Sequence, residues 1–170
     1  MNETYVECLI QRKTPTYMKF LKILTIMLTV CFFFIGIVPL VGIVPIVGIF
    51  IGLLFGLAAY FVWLNADVEY EYLYVDKELT IDKVMAKSKR KRVATFDLNK
   101  MEIVAPIKSW HLDNYKNRTD KTVDYSSGEE KQPDRRFVFF YDGQKKVIFE
   151  PNEEMVKAMQ FAAPRKVYKD

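Results

Sequence analysis

The reading turns on Ile23–Leu64, ILTIMLTVCFFFIGIVPLVGIVPIVGIFIGLLFGLAAYFVWL, which holds no Asp, Glu, Lys, Arg, His, Asn or Gln in 42 consecutive positions. A bilayer core about 30 Å thick takes about 20 apolar residues as a helix. One helix through the whole run would be about 63 Å long, twice what is needed. Two spans are therefore the natural division. The break is written at Pro39–Pro45 (PLVGIVP), where two prolines and Gly42 interrupt helical propagation. The expected helices are about Tyr17–Val38 and Ile46–Leu64, joined by a very short turn. A cleaved signal peptide is a poor account of the first span. It follows a polar lead, no A-x-A-like site closes it, and a second span follows at once.

Outward from this run, nearly all the charge (Lys+Arg 25, Asp+Glu 21) falls in the N-terminal stub and after the second span. That distribution excludes a single soluble globule, and 13 Phe with 10 Tyr exclude a mostly disordered chain. Residues 1–22 carry Arg12, Lys13, Lys19 and Lys22 against Glu3 and Glu7. After the second span, 67–84 is acidic, but Met85–Arg92 (MAKSKRKR) adds five basic residues and no acid. Orientation follows Lys and Arg near the membrane and gives acids little weight. Both termini are thus expected on the cytoplasmic face of a multi-pass cell (inner) membrane protein, with the uncharged turn outside. Tyr60 and Trp63 stand where an interfacial aromatic belt belongs.

Gly48, Gly52 and Gly56 form a double G-x-x-x-G along the second span. Such a stripe lets backbones approach closely in lipid, where packing drives association. Two occupants fit it: the first helix of the same chain, or a homodimer or other membrane-protein partner. The run Ile23–Leu64 holds no Asp, Glu, Lys, Arg or His, which removes the usual chemistry of a proton relay or a charged ion path.

Residues 67–170 read mostly as strands. Val68, Tyr70, Tyr72 and Tyr74 alternate with Glu69, Glu71 and Leu73, and ELTIDKVM (Glu78–Met85) alternates again after Val75-Asp76-Lys77. KRVATFDL (Lys91–Leu98) and MEIVAP (Met101–Pro106) are two more short strands. RFVFFY (Arg136–Tyr141) and KKVIFE (Lys145–Glu150) form a hairpin across Asp142-Gly143, a strong turn signal. Between them, Ser109–Asp134 reads as a mobile surface loop with one helical turn at Trp110–Tyr115. Pro151 opens a helix whose Met155, Val156, Met159 and Ala162 share a face, and Pro164 stops it. YVECLIQR (Tyr5–Arg12) also has strand character and can fold back to join the sheet. The count is seven strands and one C-terminal helix. The domains are an N-terminal strand segment at 1–16, a transmembrane hairpin at 17–64 and a β domain at 67–170.

Two membrane helices, YEYLYVDKELTID (Tyr70–Asp82), a basic turn, a strand ending TFDL (Thr95–Leu98) and NKMEIVAP (Asn99–Pro106) form an order that resembles the bacterial pleckstrin-homology-like (PH-like) membrane proteins. More narrowly, the chain is similar to uncharacterised small two-span membrane proteins of clostridia-like Gram-positive bacteria. The resemblance implies an α+β membrane protein: a transmembrane hairpin followed by a partly open antiparallel β-barrel, plugged by the helix at 151–162. It implies no catalytic residues.

The residues themselves are also sparing with chemistry. Cys8 and Cys31 fall on different sides of an interface and make neither a disulfide framework nor a metal site. His111 is the only histidine, so no His-based metal or acid–base pair can be assembled within the chain. There is no phosphate-binding loop, no G-x-S-x-G and no H-E-x-x-H. Asn117-Arg118-Thr119 matches a glycosylation acceptor but means nothing in a bacterial cytoplasm. No catalytic, cofactor-binding or metal residue is expected.

The concentrated feature is Lys87, Lys89, Arg90, Lys91 and Arg92, expected on the turn between two strands. It lacks the aromatic interleaving of a nucleic-acid site, so no nucleic acid is expected. Anionic lipid headgroups of the inner leaflet suit it, at about 1 kcal/mol per basic residue. A plain solvated tip that only sets topology also fits. The functional expectation is a non-enzymatic, membrane-anchored binding or scaffold module. The alternative is an accessory subunit of a membrane enzyme or transporter.

Overall fold

The computed structural model describes residues 5–38, 42–118, 121–130 and 132–169. Pro39–Val41 of the expected outer turn and Thr119 of the acceptor tripeptide lie outside them. The chain divides into two compact units: Thr14–Val68 with Met85–Lys89, and the residues up to Lys13 with Glu69–Val84 and Arg90 onward.

The first unit is a helical hairpin, α1 (Thr16–Ile37) and α2 (Val44–Ala66). Both are long and apolar enough to cross a membrane, with mean hydropathy 2.4 and 2.3. α2 starts two residues earlier than the prolines suggest, because Pro45 sits in its first turn. There the missing N–H would have no helical partner anyway. Phe32 and Phe55 stack between the helices at 5.5 Å with a 7° interplanar angle. Apart from Thr16, Lys19 and Asn65 near the ends of the hairpin, the exposed residues of the two helices are apolar or small. Only 6% and 11% of the two apolar stretches are buried.

The second unit holds two four-stranded sheets. One has the order β1 (Val6–Gln11), β2 (Val68–Val75), β3 (Glu78–Met85), β4 (Lys89–Asp97), with single residues of β2, β3 and β4 (Val68, Met85 and Lys89) falling in the helical unit. The other has the order β5 (Met101–Pro106), β7 (Phe137–Tyr141), β8 (Lys145–Phe149), β6 (Lys121–Asp124). The N-terminal segment does fold back: β1 pairs antiparallel with β2, from Val6↔Tyr74 to Gln11↔Glu69. Tight turns at Asp76-Lys77 (φ 47° and 69°) and Asp142-Gly143 (φ 53° and 65°) have both central residues at positive φ, the turn geometry that matches the right-handed twist of the flanking strands.

Three sequence expectations change here. An eighth strand, β6, lies inside the supposed loop and runs parallel to β8, Lys121↔Lys145 to Asp124↔Ile148, so the sheet is not purely antiparallel. Its four residues KTVD contain one aliphatic side chain, too little for a period-two signal. The two sheets also remain separate and do not close into a barrel. Finally, α3 spans Glu153–Ala162, and its cap is Asn152, whose side chain accepts the Met155 N–H at 2.8 Å. Pro151 precedes the cap. The 3-10 turn at Trp110–Tyr115 is where the sequence suggests.

Aromatic faces join the sheets. Phe96 meets Phe139 edge-on at 5.0 Å, and Tyr72 meets Phe149 at 6.0 Å. Tyr72 is fully buried, donates its hydroxyl to the Tyr125 carbonyl (2.7 Å) and accepts the Glu150 N–H (3.3 Å). Burial pushes its phenol far up. α3 lies against β1 with Met155 and Met159 fully buried.

Candidate functional site

Lys87, Lys89, Arg90, Lys91 and Arg92 are all exposed, but the chain uses them differently. The turn itself is only Ala86-Lys87, both with positive φ (48° and 54°). Neither residue type favours that region, so the turn stores backbone strain. It is held by the Met85 carbonyl accepting the Ser88 N–H at 3.1 Å and by the Ala86 N–H donating to Asp67 at 2.7 Å. Lys89–Arg92 stand on β4, which begins two residues before the expected strand Lys91–Leu98 and takes Lys89 and Arg90 off the turn. An unbroken basic run without apolar residues carries no period-two signal at Lys89-Arg90.

Two of the five are committed to buried carboxylates. Arg90 Nη2 lies 2.8 Å from Oε2 and 2.9 Å from Oε1 of Glu71 on β2, and Glu71 is 4% exposed. Arg92 Nε is 3.6 Å from Oδ1 of Asp82 on β3, itself 5% exposed. Burial raises the Glu71 carboxyl above its usual range, and a hydrogen bond with the Glu7 carboxyl raises it further, while Arg90 opposes both. Glu7 is lowered, first by the Tyr5 hydroxyl, which donates to it at 2.8 Å. Lys87 and Lys91 meet no carboxylate among the described residues. Lys89 is placed over the Tyr60 ring of α2, its Nζ 5.5 Å from the centroid. The sequence missed this sorting because the guanidinium partners lie on other strands, β2 and β3, distant in sequence.

The glycine stripe faces α1. A Cβ built on Gly48 would stand 3.1 Å from the Gly36 backbone nitrogen and 3.2 Å from the Phe32 carbonyl. One on Gly52 would stand 3.2 Å from the Phe33 ring, and one on Gly56 would meet only Thr29 Cγ2 at 3.7 Å. Of the two occupants the sequence leaves open, the same chain's α1 is the one that Gly48 and Gly52 meet. Gly36 of α1 belongs to the same crossing, and the stripe-based reading overlooked it.

A cavity of about 680 Å³ lies beside β1 and α3, lined among others by Cys8, Phe137, Asn152, Val156 and Lys157. Burial pushes the Cys8 thiol up, so little of it is the nucleophilic thiolate at neutral pH. His111 is stacked between Trp110 and Tyr168, 3.8 Å from each ring. No cluster of metal-ligating side chains occurs among the described residues.

Two packed sheets and a C-terminal helix, interrupted after the first strand by an apolar helical hairpin, define an α+β protein of the PH-like class. The chain belongs to the bacterial PH-like domain family (DUF6106), whose model matches residues 2–169 and so runs through both helices. Domains of this kind are typically non-catalytic and serve as binding or scaffold modules. No curated protein and no solved structure matches the chain.

Proposed function

We propose that this protein is a non-enzymatic, membrane-anchored binding module, with its PH-like domain at the cytoplasmic membrane surface and Lys87, Lys89 and Lys91 holding anionic lipid headgroups. The observation that carries this reading is that the basic turn Met85–Lys89 belongs to the same compact unit as the two apolar helices, with Lys89 over Tyr60. A cation on an aromatic ring near the C-terminal end of α2 suits the headgroup level of a bilayer. The pairing of β1 with β2 supports the topology. These strands flank the hairpin, and the Thr14 hydroxyl donates to the Ala66 carbonyl at 2.7 Å across its base. A hairpin that crosses a membrane twice returns the chain to the side it left, so both termini share the face that the basic flanks assign to the cytoplasm.

Each free lysine near an anionic surface gains about 1 kcal/mol. The covalent anchor removes most of the entropic cost of approach. Arg90 and Arg92, spent on Glu71 and Asp82, contribute less than their number suggests. The test is native mass spectrometry of the full chain, released from membranes containing phosphatidylglycerol and phosphatidylcholine. Preferential retention of phosphatidylglycerol is expected, lost at about 0.5 M salt where screening is within a few ångströms. Lys87→Gln/Lys89→Gln/Lys91→Gln should lose it. Arg90→Gln/Arg92→Gln should keep it while losing stability, by about 1–3 kcal/mol for each stranded carboxylate. Equal retention of both lipids, or no loss in the triple lysine variant, would overturn the reading.

A further inference from the structure

A second cavity, of about 370 Å³, opens between the 3-10 turn at Trp110–Tyr115 and the second sheet. Three lysines from separate elements line it: Lys108 after β5, Lys116 after the turn and Lys146 on β8. Among the described residues no carboxylate lines it. Its floor is apolar, with Leu112, Val138 and Phe140, and Tyr115 stacks on Phe140 at 4.7 Å.

We propose that this cavity binds a phosphomonoester carried on a ring or other apolar body. Four observations support it. Lys146 has no ion-pair partner among the described residues, so its charge is unspent there. Lys108 is 3.8 Å from Asp134, but that carboxylate already accepts from Arg136 at 2.9 and 2.8 Å, so Lys108 is surplus to it. Lys116 pairs with Asp113 at 2.7 Å, yet the Asp113 side chain is 58% exposed, and such surface pairs are held by about 1 kcal/mol or less. Finally, Ser109, 7% exposed, accepts the His111 N–H at 3.3 Å, while its own hydroxyl proton has no acceptor among the described residues.

A dianionic phosphate offers three acceptor oxygens to these cations and that donor. Lysine ammoniums act as point charges on flexible stems, so they adapt to phosphate without the planar match a guanidinium needs. The volume is at the low end of small-ligand pockets, roughly 300–1,000 Å³, and holds more than a bare phosphate ion. The Tyr115–Phe140 stack then faces the remainder of the ligand. The site is separate from the basic turn, and does not depend on the function proposed above.

The test uses the full chain in neutral detergent micelles, titrated calorimetrically with phenyl phosphate and with inorganic phosphate. Phenyl phosphate should bind saturably and more tightly than inorganic phosphate. Lys146→Gln should weaken it about tenfold or more, the loss of one charge-assisted contact, with unchanged thermal unfolding. Lys146→Arg should restore most of the affinity, and Ser109→Ala should weaken it without abolishing it. Lys87→Gln/Lys89→Gln/Lys91→Gln should leave it unchanged. Competition by micellar phosphatidic acid would support the site and assign its ligand to a lipid headgroup. Failure of that lipid to compete, with Lys146 dependence intact, would support the site and assign a soluble ligand. The proposal is overturned if neither compound binds, or if Lys146→Gln binds phenyl phosphate as the parent does.

Discussion

The glycines of the hairpin should respond to alanine in a graded order set by what each new methyl would touch. At Gly48 the methyl meets backbone on α1, 3.1 Å from the Gly36 nitrogen and 3.2 Å from the Phe32 carbonyl, and backbone has no rotamer to yield. Overpacking of this kind costs about 1–3 kcal/mol. Alanine returns about 0.5–1 kcal/mol of helix propensity, so Gly48→Ala should lose about 1 kcal/mol net. Gly36→Ala should lose at least as much, because its methyl would stand 2.5 Å from Ile49 Cγ1 and 3.1 Å from the Ile49 nitrogen. Gly52→Ala meets a side chain, Phe33 Cδ2 at 3.2 Å, which can turn aside in part, and should be close to neutral. Gly56→Ala meets only Thr29 Cγ2 at 3.7 Å, ordinary contact, and should be stabilising by about 0.5 kcal/mol. The assay is unfolding of the full chain in mixed micelles with rising denaturing detergent, followed by helical circular dichroism. Equal cost at Gly48 and Gly56, or a stabilising Gly48→Ala, would refute the assignment of the stripe to α1.

Because β1 completes the first sheet, a fragment beginning at residue 67 should aggregate, whereas residues 1–13 joined to 67–170 by a short Gly/Ser linker should give a soluble, folded domain. The Thr14–Ala66 hydrogen bond shows how small a gap that linker spans, and nuclear magnetic resonance dispersion of the two proteins separates the outcomes. Asp134, buried with Arg136, has its carboxyl held below the usual 3.8, first by the Arg136 hydrogen bonds. A lowered folded-state pKa stabilises above the unfolded value and loses that contribution as pH falls through the folded one. Asp134→Asn should therefore cost about 3 kcal/mol at neutral pH, and the gap from the parent should narrow only below about pH 4; a gap independent of pH in acid denaturation would refute the pairing.

The sequence by itself determined the helical hairpin, because the apolar run of Ile23–Leu64 exceeds one span and admits only a break at its prolines. It also determined most strands, including β1, because β2 and β3 carry period-two alternation and the β7–β8 hairpin brackets an Asp-Gly turn. What it left open involves partners distant in sequence. β6 exists because β8 offers an edge to KTVD, not because four residues prefer an extended form. Arg90 and Arg92 are indistinguishable from Lys91 in a basic run. They are separated from it by Glu71 and Asp82, carboxylates nineteen and ten positions away in sequence that burial leaves in need of a cation. Lys108, Lys116 and Lys146 come together only because the 3-10 turn folds over the second sheet. Local propensity and hydrophobic period are written in neighbouring residues, while charge pairing and cavity lining depend on distances that the chain acquires only on folding.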